Sequence, residues 1–121
     1  MTTGTPGADS LSTTMDGETI LGLGGNDTLT STNNNATLNG GFGGDTLITE
    51  LIVDQDFTGP ADQVFTNTLI GSNNRDVLNA NVSVAGVVNA TVDIVQDGGG
   101  GSDTITSNLY AGDVDLSLIH I

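Results

Sequence analysis

The chain has 121 residues and a formal charge of −14, with fifteen acidic residues against a single arginine, Arg75, and no lysine. That balance excludes the basic footprint that nucleic acid or an anionic bilayer requires, and it directs attention to cations. With 3% aromatic residues and no cysteine, neither an aromatic core nor a disulfide framework can hold the fold, and no thiol chemistry marks a compartment.

The opening, MTTGTPGADS, has neither a basic segment nor an apolar one, so a classical signal peptide is not expected. No apolar run approaches the roughly 20 residues needed to cross a bilayer, so membrane insertion is not expected either. From Gly4 the chain falls into rows of nine: GTPGADSLS (4–12), GLGGNDTLT (22–30), GGFGGDTLI (40–48), GSNNRDVLN (71–79) and GGGGSDTIT (98–106). Each begins with glycine and places aspartate sixth and an apolar residue eighth. Self-similarity at a fixed period is the mark of a repeat architecture. Between these rows lie TTMDGETIL (13–21), STNNNATLN (31–39) and DQVFTNTLI (62–70), which keep the apolar eighth position and read as the return half of each coil.

The rows predict short strands with one inward residue each: Leu11, Ile20, Leu29, Leu38, Leu47, Leu69, Leu78 and Ile105 form a thin aliphatic ladder flanked by outward Ser, Thr and Asn. Glycine and asparagine supply the positive φ that the corners demand. No segment carries a helical stripe, so an all-β chain without helix is predicted. The row aspartates are 18 residues apart from Asp9 to Asp27 and from Asp27 to Asp45, then 31 to Asp76 and 27 to Asp103. Coils therefore widen towards the C terminus, through longer strands or an insertion around 49–61 and 80–97. The expectation is one domain, 1–121, with regular repeats over 4–48 and degenerate, widened repeats over 49–121.

Stacking coils at the spacing of paired strands, about 4.8 Å, brings Asp9, Asp27 and Asp45 into one file of carboxylates, which repel unless a cation lies between them. Calcium takes six to eight hard oxygens in loose geometry, and glycine turns expose backbone carbonyls. These rows match Gly-Gly-x-Gly-x-Asp-x-(apolar)-x, and the chain resembles the RTX, or haemolysin-type, calcium-binding repeats of secreted bacterial proteins. The resemblance implies a right-handed parallel β-roll, or β-solenoid, with two nines per 18-residue coil and calcium between turns. It assigns ligand roles to Asp27 and Asp45, then Asp9 and Asp103, and last Asp76, whose row lacks the second and fourth glycines. The turn glycines Gly22, Gly24, Gly40, Gly43, Gly98 and Gly101 join them. On the opposite edge the sixth positions hold Glu18, Ala36 and Asn67. Calcium is thus expected along one edge, against an asparagine-rich, metal-free stack on the other.

The resemblance further implies a chain that stays loose in the calcium-poor cytosol, leaves through a type I machine without a cleaved leader, and folds outside the cell. GDVDLSLIHI at the end reads as part of such a signal or as a last strand. His120 is the single histidine, with no cysteine or serine motif beside it, so no enzyme is expected. Two further readings stay open. Uncapped solenoid ends allow head-to-tail stacking into a homo-oligomer, fibre or surface layer. Outward Thr28, Thr30, Thr46, Thr104 and Thr106 could order water against ice or crystals, although Ile48, Val77 and Asn79 interrupt that ladder.

Overall fold

The computed structural model describes residues 1–53, 64–84, 91–111 and 115–120. The centres of both widening segments, 54–63 and 85–90, lie outside the described residues, as do 112–114 and 121 of the C-terminal stretch.

Alternating apolar and polar residues, punctuated by glycine, give strands β1 (Thr2–Thr3), β2 (Ser10–Ser12), β3 (Thr19–Gly24), β4 (Thr28–Ser31), β5 (Ala36–Phe42) and β6 (Thr46–Val53). They continue with β7 (Val64–Asn73), β8 (Val77–Val84), β9 (Thr91–Asp97), β10 (Thr104–Ala111) and β11 (Asp115–His120), and no helix occurs among the described residues. Odd-numbered strands form one sheet, in the order β1-β3-β5-β7-β9-β11. Even-numbered strands form the other, in the order β10-β8-β6-β4-β2. Every pairing is parallel. The chain thus crosses from sheet to sheet once per half-coil, which makes a parallel β-roll, all-β as the rows predict.

The ladder of eighth positions closes between the sheets. Ile20, Leu38 and Leu69 face Leu29, Leu47 and Leu78 with no exposed surface, and Leu11 and Ile105 pack at either end. Full burial of each such side chain contributes about 1.5–3 kcal/mol, so the stack is held mainly by this narrow column. Where the coils widen, a second cluster forms from Leu51, Phe65, Ala80, Val82, Val84, Val92 and Ile94. Among the described residues the strands lengthen there, in register from Thr46↔Val77 to Val53↔Val84. One ladder position differs from the pattern: Gln96 takes the place beside Leu69, fully buried. Its amide is satisfied by donating to the Thr106 carbonyl at 3.1 Å and accepting from the Ser107 hydroxyl.

The corners hold the backbone in the left-handed region at matching places in successive coils. Second positions Leu23, Gly41, Ser72 and Gly99 have φ of 81, 96, 93 and 77°, and fourth positions Gly25, Gly43, Asn74 and Gly101 have 105, 129, 82 and 142°. The row around Asp76 thus keeps the corner geometry although it lacks those glycines. Gly43 and Gly24 separate backbone necessity from habit. A methyl at Gly43 would overlap the Gly25 carbonyl oxygen, whereas the nearest atoms to a methyl at Gly24 stand 3.8 Å away. Gly43→Ala should lower the unfolding free energy by about 2 kcal/mol or more, through clash and left-handed strain. Gly24→Ala should leave it within about 0.5 kcal/mol or raise it. Urea unfolding of the two variants measures both.

Candidate metal centre

The five row aspartates stand at one corner, each just before an even-numbered strand, and parallel stacking puts them in a single file. Each main chain uses the next carboxylate as an acceptor. The amides of Asp9, Asp27 and Asp45 donate to Oδ1 of Asp27, Asp45 and Asp76, each at 2.8 Å, and that of Asp76 donates to Oδ1 of Asp103 at 3.0 Å. The aspartate carbonyls complete the ladder, accepting from the amides of Thr28, Thr46, Val77 and Thr104. One oxygen of each carboxylate from Asp27 to Asp103 is therefore fixed by the neighbouring coil, and the file is straight because the sheet register is.

The second oxygens differ along the file. Asp27, Asp45 and Asp76 are 1, 1 and 0% exposed, and their Oδ2 atoms are buried without a hydrogen-bond donor. Each Oδ2 lies over the first glycine of its own row, Gly22, Gly40 and Gly71 respectively, in the space a Cβ would fill. At Gly22 and Gly71 a second oxygen faces the same space, the carbonyl of Gly40 or Gly98 in the next coil. Two electron-rich oxygens crowded around one point are costly unless a proton or a cation lies between them, and a buried, unpaired carboxylate oxygen costs more than a neutral one. Asp9 is resolved otherwise: its Oδ2 accepts from the Thr5 amide at 2.5 Å and the Thr5 hydroxyl at 3.0 Å. Asp103 sits half-buried at the far end, with Oδ2 over Gly98.

The turn glycines divide by role. Gly22, Gly40 and Gly98 form the cradles and present carbonyls to the preceding coil. At Gly43 and Gly101 a Cβ would collide with the carbonyls of Gly25 and Asn74, and at Gly24 it would meet only ordinary van der Waals neighbours, so none of these three faces a carboxylate. The sequence does not single out Gly71 or Thr5 as site residues. Gly71 opens its row just as Gly22 and Gly40 do, whereas no repeat pattern signals that Thr5 closes on Asp9. Among the described residues no three acidic or histidine side chains converge on one point. A cation here would draw on one or two carboxylates and on backbone carbonyls, a donor set of hard oxygens that fits calcium better than a softer metal.

The opposite corner provides an internal control. The Ala36 amide donates to Asn67 Oδ1 at 2.8 Å, the same bond that the aspartates make. Asn67 then uses its nitrogen to donate to the Asn33 carbonyl at 3.1 Å and to the Thr49 hydroxyl. Thr13 Oγ1 donates to Asn33 Oδ1 at 2.7 Å and stands 3.0 Å from the Ser31 hydroxyl. Beyond the first coil this corner is neutral and satisfied as far as Asn67. Glu18, at its N-terminal end, accepts from Thr2 Oγ1 at 2.6 Å and the Thr14 amide at 2.8 Å, and these bonds hold its carboxyl below the usual range.

Burial pushes the carboxyls of Asp45 and Asp76 above the usual range. Neighbouring Asp27 and Asp76 add to this at Asp45, and Asp103 adds to it at Asp76, against the pull of the donated amide. A carboxyl whose folded value is raised contributes stability below the unfolded value and loses it as pH rises through the folded one. In chelator, thermal stability should therefore increase as pH is lowered from neutral towards the ordinary carboxylate range, the reverse of common acid denaturation. Protonation of Glu18 opposes this only at lower pH. Asp45→Asn/Asp76→Asn should flatten the rise, and melting curves between pH 7 and pH 4 measure it. Comparison with known protein families, with curated proteins and with solved structures finds no match to this chain.

Proposed function

We propose that the chain is a calcium-binding repeat protein of the RTX type, in which calcium occupies the file of aspartates and completes the fold. One observation carries this reading: Oδ2 of Asp27, Asp45 and Asp76 is buried without a donor, while the asparagine in the equivalent place on the other corner has every polar atom satisfied. Glycine carbonyls in the next coil supply further hard oxygens at two of the three cradles. On this reading Asp27, Asp45 and Asp76 hold the ions. Asp9 is closed off by Thr5, and Asp103 ends the file.

The mechanism follows from mass action. An ion that binds only the folded chain adds RT ln(1 + [L]/Kd), about 1.4 kcal/mol per site at ten times Kd. Three sites of the affinity typical of extracellular modules would add about 4 kcal/mol, comparable to much of a small domain's stability. Without calcium the repelling oxygens and narrow core leave the folded chain only marginally stable. That makes an exported protein, folding outside the cell as a structural or adhesive element, the function in best accord with the site. A second reading, head-to-tail stacking of copies, rests on the outer edges of β2 and β10, which are unpaired among the described residues. The three residues of β2 would cover only part of the eight in β10, so such a contact is incomplete.

Asp27→Asn tests the reading directly. The variant puts a donor where Oδ2 faces the Gly40 carbonyl. In chelator it should be more stable than the parent by about 1–2 kcal/mol. In calcium it should gain less than the parent, whose melting temperature should climb with calcium concentration. A parent indifferent to calcium, or a variant with an undiminished calcium response, overturns the proposal.

A further inference from the structure

The outer face of the even-numbered sheet changes character where the coils widen. Along β2 and β4 it is flat, with Ser10, Ser12, Thr28 and Thr30 in register. Beyond Asn79 the register instead aligns Glu50, Asn81 and Asn108 in one row and Ile52, Ser83 and Tyr110 in the next. The central strand β8 carries Ser83 between the longer Ile52 and Tyr110, and Asn81 between the longer Glu50 and the equal Asn108. Two strand spacings, about 9–10 Å, separate the walls. The result is a trough of about 520 Å³ running along β8, with Glu50 and Ile52 on one wall, Asn108 and Tyr110 on the other, and Asn81 and Ser83 as its floor.

We propose that this trough binds a neutral, hydroxyl-rich saccharide. Ile52 and Tyr110 are 71 and 72% exposed in a chain that has one tyrosine and no tryptophan, so the ring is displayed rather than spent in a core. Its face, with Ile52 opposite, matches the C–H face of a sugar ring. Asn108 Nδ2 donates to Asn81 Oδ1 at 2.8 Å, which leaves a donor on Asn81 and an acceptor on Asn108. The Ser83 hydroxyl both donates and accepts, and the exposed Glu50 carboxylate accepts, so the set matches groups that do both, as sugar hydroxyls do. No basic side chain lines the trough, which disfavours phosphorylated or acidic ligands. A peptide strand cannot extend the sheet here, because β8 is paired on both sides, to β6 and β10. A second copy of the chain brings another −14 against Glu50. This inference is independent of the calcium reading.

The test is calorimetric titration of the folded 121-residue chain with maltotriose, cellotriose and chitotriose, alongside the emission of Tyr110, the one tyrosine. At least one should bind saturably and alter that emission. By calorimetry Tyr110→Ala should weaken binding about tenfold or more, and Tyr110→Phe, which keeps the ring face, should stay within about threefold of the parent. Unchanged far-UV circular dichroism of the variants, in calcium and in chelator, separates loss of the trough from loss of the fold. No binding by any of the three sugars overturns the proposal, as does equal binding by Tyr110→Ala. Sedimentation showing a dimer that Tyr110→Ala abolishes overturns it too, in favour of a self-interface.

Discussion

The structure depends on how a stack of parallel coils disposes of a carboxylate that every second row returns to the same corner. Register leaves no freedom: if Leu29 lies on Leu47 and Leu47 on Leu78, then Asp27, Asp45 and Asp76 lie on one another as well. One oxygen of each is used well, accepting the amide of the coil before it. The other is forced into the interior over a glycine. Hydrophobic burial along the ladder and charge burial along the file therefore oppose each other coil by coil, and the balance is set by whatever neutralises that second oxygen, whether a proton, an amide or a divalent cation.

The molecule relieves this opposition in two ways side by side. At the Asn67 corner an amide replaces the acid and its nitrogen finds the Asn33 carbonyl and the Thr49 hydroxyl. At Asp9 the chain itself closes the file through Thr5. Where neither device operates, the first-position glycines matter most, because any side chain at Gly22 or Gly71 would fill the space shared by the carboxylate and the next coil's carbonyl. Glycine is present there for the approach of other atoms. At Gly43 and Gly101 it is present for backbone conformation, with φ of 129 and 142°.

Much of this was legible in the sequence. The nine-residue rows predict the parallel coils, the absence of helix and the aliphatic ladder from Leu11 to Ile105, because a strict repeat forces equivalent residues into equivalent places. The widening after Asp45 is legible from the spacing of the aspartates, but not the second core, since Phe65, Val82 and Ile94 follow no nine-residue rule. Nor is Gln96 recognisable as a ladder residue, because its burial depends on Ser107 and Thr106 across the coil. At the site, sequence names the five aspartates and ranks Asp27 and Asp45 ahead of Asp9, but it places Asp76 last and gives no sign of what closes Asp9. That closure rests on the amide and hydroxyl of Thr5, four residues away.

The most direct measurement is a crystal structure of the chain grown in calcium, with anomalous scattering recorded at long wavelength. The account predicts anomalous peaks beside Oδ2 of Asp27, Asp45 and Asp76, each within calcium–oxygen distance, about 2.3–2.6 Å, of the carboxylate, with the Gly40 and Gly98 carbonyls among the ligands at Asp27 and Asp76, and no peak at Asn67. Three carboxylates without a peak, with Oδ2 of Asp27 and Asp76 instead in short hydrogen bonds to those glycine carbonyls, would show protonated acids in a metal-free roll and contradict it.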